Sequence, residues 1–171
     1  MWKYRGQNRP PFALEPGPGQ ESVWDYPRPP ALQSDLRRVE VRFEDVILAD
    51  SRRTYRVLET ASPPTFYIPS ADVHVELLMS STETSFCEWK GVAHYWALRV
   101  GGLSGEVVGW SYPQPTPAFA PIAGYYSFYP ALVECYVDGE RVRPQGGGFY
   151  GGWVTHEIVG PFKGAPGTGS W

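Results

Sequence analysis

From Arg37 to Phe43 the apolar residues of this chain recur at every second position. Val39, Val41 and Phe43 are separated by Glu40 and Arg42, and TYRVLET (54–60), TFYIP (65–69) and DVHVELL (72–78), each bounded by Pro, Ser, Asp or Thr, suggest further strands. Side chains on a strand alternate between faces, whereas an amphipathic helix needs apolar residues three and four apart, and no window carries such a stripe over three turns. CEWKGVAHYWALRV (87–100), EVVGWSYP (106–113), YYSFY (125–129) and VECYVDGERV (133–142) extend the series. Seven to nine short strands bounded by Pro, Gly, Ser and Asp predict an all-β domain, a compact folded antiparallel sheet. Glu44-Asp45 and Asp138-Gly139 read as its tight hairpin turns.

The two ends differ from the middle. Residues 1–35 are rich in proline (RPPF, EPGPG, YPRPP), which excludes helix and central strand, so they read as an extended arm. Residues 36–144 carry the β pattern. Residues 145–171 mix glycine with Phe149, Tyr150, Trp153, Phe162 and Trp171, and such aromatics predict a strap packed on the domain.

The composition narrows the function classes. A net charge of −3 with interspersed signs gives no basic run to track a phosphate backbone, so nucleic acid is not an expected partner. No apolar run is long enough to span a bilayer, and the first residues lack the apolar stretch of a signal peptide, so a soluble cytoplasmic protein is expected. Cys87 and Cys135 form no CxxC, and His74, His94 and His156 lack ligand spacing. Neither a metal nor another cofactor is expected.

The densest group of chemically capable side chains is FCEWKGVAHYW (86–96). In a regular strand Cys87 and Lys90 stand about 10 Å apart on opposite faces. A bulge at Gly91 would reset the alternation and bring Cys87 and Trp89 to the side of His94 and Trp96. If Gly101–Gly105 is a five-residue hairpin loop, Val100 faces Glu106, Trp96 faces Trp110 and His94 faces Tyr112. One aromatic wall results; a slip of one residue would turn Tyr95 to it instead. Glu59, beside a Pro-Pro corner, pairs with Lys90 or Arg53 or, unpaired, is a general-acid candidate.

Several of these stretches occur together in a fixed order: ESVWDYPRPP (21–30), LETASPPTFYIP (58–69), CEWKG followed by YW, WSYPQP (110–115), IAGYYSFYP (122–130) and GGFYGGW…GPFKGAPGT. With them the chain resembles domain-of-unknown-function family 427 over Glu21 to Thr168. The resemblance implies a compact β fold of the β-tent kind, filed at times under a nucleotidyltransferase label without an established reaction. It also implies that Cys87, Trp89, Lys90, Gly91, Tyr95 and Trp96 occupy the family's pattern, with Glu88 where proline is common. The chain itself has no Asp-x-Asp, no GxxxxGK[ST], and Gly-Ser only at Gly169-Ser170, so it lacks the groups that hold phosphates and paired metals.

Three functional readings follow. The first is a small organic ligand held in an aromatic cleft by Tyr67, Trp89, Lys90, His94, Tyr95, Trp96, Trp110 and Tyr112, with Gly91, Gly124 and Phe128 as structural supports. The second is an enzyme with Cys87 as nucleophile or redox thiol, supported by Lys90 or His94 and with Glu59 as a further catalytic candidate. The third is a protein-interaction module built on the aromatic strap and proline arm; exposed strand edges also allow a homodimer. Against all three stands the plain alternative that a small β protein uses these aromatics for packing.

Overall fold

The structure, a computed structural model, describes residues 1–148 and 150–171; Phe149 of the strap lies outside the described residues. The N-terminal arm leads into β1 (Glu21–Ser22). The alternating segments then form β2 (Ala31–Asp35), β3 (Val39–Phe43), β4 (Val46–Ser51), β5 (Thr54–Leu58) and β6 (Thr65–Tyr67). A second run gives β7 (Leu78–Cys87), β8 (Gly91–Leu98), β9 (Val107–Ser111) and β10 (Tyr126–Phe128). The chain closes through β11 (Glu134–Val137), β12 (Glu140–Arg141), β13 (Arg143–Pro144), β14 (Trp153–Val154) and β15 (Ile158–Val159).

Among the described residues three antiparallel sheets, β2-β5-β6, β12-β11-β3-β4 and β10-β9-β8-β7, carry this all-β fold, and none closes into a barrel. Two short pairs fasten the ends: parallel β1-β15 and antiparallel β13-β14. Both expected tight turns are present. Phe43 opposes Val46 around Glu44-Asp45, and Val137 opposes Glu140 around Asp138-Gly139, whose φ angles of 46° and 81° are those of a primed hairpin turn.

The main core lies where the three sheets meet. Val39, Val41, Leu48, Phe66, Ile68, Leu98, Phe128 and Cys135 pack into it, all but fully enclosed. Burial pushes the Cys135 thiol far above its ordinary value and leaves it a neutral core side chain. The strap joins this core through Trp153, which is 0% exposed, stacks on Phe66 with ring centroids 4.8 Å apart, and donates its indole N–H to the Phe128 carbonyl at 3.0 Å. No helix among the described residues is long and apolar enough to cross a membrane.

Two segments depart from the sequence reading. Of Asp72–Leu78 only Leu78 belongs to a strand. The segment winds through 3-10 turns at Ser70–Asp72 and Val75–Leu77, because the Val75 and Leu77 N–H groups bond locally to the Val73 and His74 carbonyls and are spent before a ladder can form. Conversely, β7 begins only at Leu78 and runs through the polar Ser80–Ser85. As the edge of its sheet, paired only with β8, it has a largely solvated surface and shows no apolar row.

Trp153→Ala is expected to lower unfolding stability by about 3–5 kcal/mol, the usual loss for a fully buried aromatic. Equilibrium urea unfolding followed by circular dichroism measures it, and a loss below about 1 kcal/mol would contradict the strap's place in the core.

Candidate functional site

CEWKGVAHYWALRV is a hairpin rather than one strand. Cys87 ends β7 and pairs with Gly91, which opens β8, while Glu88-Trp89-Lys90 forms the turn. Gly91 has φ +102°, in the region that favours glycine, and closes this three-residue loop. The reversal, not a bulge, brings Lys90 beside Cys87. The segment after β9 clamps the turn: the Thr116 N–H bonds to the Lys90 carbonyl at 3.1 Å and its hydroxyl donates to the Trp89 carbonyl at 2.7 Å.

The bulge occurs in β9 instead. Trp96 opposes Gly109 while Ala97 opposes Val107, leaving Val108 as the extra residue. Tyr95 therefore faces Trp110 and His94 faces Ser111, one residue out of the expected register. Tyr95 and Ala93 turn to the cluster of Trp110, Tyr112 and Tyr67. Trp96 turns to the main core, where it meets Tyr126 at 5.3 Å and donates its indole N–H to Ser111 at 2.9 Å; His94 is exposed on that same side of the strand. The five-residue loop assumption fails because Leu98 closes the hairpin, giving its N–H to Glu106 and accepting from Gly105.

On the Tyr95 side lies a cavity of about 390 Å³. Tyr67, Trp110, Tyr112 and Tyr129 form its walls, Cys87, Trp89 and Lys90 enter from the β7–β8 turn, and Glu59 comes from the end of β5. Gly124 and Phe128 lie outside it. Gly124, at φ +73°, gives its N–H to the Tyr112 carbonyl, and Phe128 is fully buried in the main core. The wall rings are locked to one another: Trp110 donates to the Tyr67 hydroxyl at 3.1 Å, and the Tyr95 and Ser85 hydroxyls share a 2.7 Å hydrogen bond.

Two lysines enter this cavity. Burial would lower the Lys90 ammonium, but the Tyr67 phenol, the Cys87 thiol and Glu59 together hold it above its ordinary value, and it sits 5.6 Å from the centre of the Tyr112 ring. Lys163, from the strap, lies 5.0 Å from the Trp2 ring and 5.8 Å from that of Tyr150, and burial followed by repulsion from Arg28 lowers it. Glu59 pairs with neither Lys90 nor Arg53. Its partner is Arg28, at 3.4 Å, a guanidinium 4% exposed that also donates to the Thr60 and Trp171 carbonyls; Arg53 is engaged by Asp72.

Sequence reasoning missed the contribution of the two ends. Trp2, Gln145, Tyr150 and Lys163 border the cavity, and Gly151 presses so closely on the Trp110 ring that a Cβ there would lie 2.3 Å from it. The GPFKGAPGT stretch marked Lys163 as part of a pattern, but nothing local in sequence tied it to residues more than seventy positions away.

The family model of the domain of unknown function DUF427 matches residues 31–139, more than half of the chain, and the chain belongs to that family. No curated protein matches it.

Two outcomes follow from this geometry. Gly151→Ala should destabilise the fold by about 1–3 kcal/mol through overpacking against Trp110, read as a shift in the urea midpoint; an unchanged midpoint would mean the strap yields freely. Burial, followed by the neighbouring Tyr67 and Cys87, raises Tyr112 far above its ordinary 10.0, so the folded chain keeps a proton that the unfolded chain releases. Stability from this source is complete below about pH 10 and falls as pH rises beyond it. Tyr112→Phe should make the decline shallower in urea unfolding between pH 8 and 11, and an equally steep decline would refute the assignment.

Proposed function

We propose that this member of family 427 binds a small organic molecule with a flat, largely apolar body in the cleft between Trp110, Tyr112 and the β7–β8 turn. The observation that carries the reading is a cavity of about 390 Å³ walled by interlocked aromatic rings and furnished with Lys90. Its volume lies within the range of about 300 to 1,000 Å³ common for ligand sites, and such sites pair apolar walls with a few polar groups that orient the ligand. Because the rings already hydrogen-bond one another, little ordering remains to be done on binding.

A thermal-shift and tryptophan-fluorescence screen against a metabolite library tests this. A ligand should raise the melting temperature of the protein and perturb its fluorescence, and Trp89→Ala should weaken its binding by about tenfold or more, the value of one well-packed aromatic contact. A library without a single stabilising compound would overturn the proposal.

A second reading, chemistry at the thiol, is favoured by one observation: Lys90 lies against Cys87 inside the cavity, an arrangement of cation and nucleophile suited to covalent catalysis. Iodoacetamide labelling at pH 7, with Cys87→Ser as blank, should then proceed faster than for a free cysteine and slow in Lys90→Met. Labelling no faster than the free amino acid removes this reading.

A further inference from the structure

The cleft holds more positive charge than it neutralises. Among the described residues, neither Lys90 nor Lys163 has a carboxylate oxygen within 4.0 Å, whereas Arg28 holds Glu59 at 3.4 Å. Glu88 is exposed at the cavity border and acts on Arg28 and Lys163 only by longer-range attraction. The lysine ammonium groups rest on the faces of Tyr112, Trp2 and Tyr150, which attract a cation but cannot satisfy its N–H donors. Cys87 and the more distant Glu59 favour the charged form of Lys90, but among the described residues neither lysine is ion-paired, so ammonium N–H donors in the cavity remain open to an oxyanion.

Resting on the cleft reading above, we infer that the ligand is an organic acid: an aromatic or similarly flat body lying against Trp110 and Tyr112, with a carboxylate or phosphate head directed to Lys90 and Lys163. The two ammonium groups line the same cavity, one from the β7–β8 turn and one from the strap, so that an anion bound there would draw strap and sheet together. Each is a point charge with freely turning donors rather than a fork, which suits either head group. Cys87, next to Lys90, borders the same end of the site.

Isothermal titration calorimetry on the full chain with benzoate, 1-naphthoate and indole-3-acetate, each set against its uncharged amide, tests the charge; phenyl phosphate set against benzoate identifies the head group. At least one acid should bind about tenfold or more tighter than its amide, the value of a charge-assisted hydrogen bond. Lys90→Met and Lys163→Met should each lower the ratio of acid to amide affinity, with circular dichroism confirming that both variants fold. Added salt should weaken the acid and spare the amide. Amides that bind as well as acids would overturn the organic-acid inference and leave a neutral aromatic cleft standing, as would an acid preference unchanged in both lysine variants. Binding of neither form of any probe would overturn the inference together with the aromatic cleft.

Discussion

One extra residue in β9 decides which side chains this protein presents to its cavity. Val108 has no partner on β8, so the alternation shifts beside it: Val108 turns to the main core, while Trp110, two residues on, turns to the opposite cluster. Without the bulge these two would share a face, and the cavity would lose the ring that links Tyr67, Tyr129 and the strap. The core on one side and the cleft on the other are thus two faces of a single sheet. β6 makes the same division by plain alternation, sending Phe66 to the core and Tyr67 to the cleft.

The chain ends complete what the sheets begin. Trp153 is as deeply set as any core residue, and Gly151 lies against Trp110 where a larger side chain would strike the ring. From the other end, Arg28 is held by the Thr60 and Trp171 carbonyls and by Glu59, while its guanidinium stacks 4.0 Å from the Trp2 ring. A buried guanidinium with this many acceptors fixes the arm, the Pro-Pro corner and the C-terminus relative to one another. The cavity is consequently bounded by segments from nearly the whole length of the chain.

Its chemistry follows from that assembly. Aromatic walls raise the Tyr112 and Tyr129 phenols by burial, keeping them neutral, while Lys90 keeps its proton because Tyr67, Cys87 and Glu59 outweigh the cost of its own burial. The result is a cavity with aromatic walls that is bordered by lysines and glutamates together.

Much of this was legible in the sequence. The period of two at Val39–Phe43, the turns at Glu44-Asp45 and Asp138-Gly139, and the family motifs determined an all-β fold and drew attention to Cys87, Trp89, Lys90, Tyr95, Trp110 and Tyr112, because alternation, turn chemistry and residue type are local properties. Only the tertiary structure decided that His94 and Trp96 face away from the cavity, that Glu59 belongs to Arg28, and that Lys163 and Trp2 stand at its border. A strand's register depends on where its hairpin closes and where a bulge falls, and an ion pair depends on which distant segments pack together. Both are settled by the competition of long-range contacts, to which the local pattern of residues is blind.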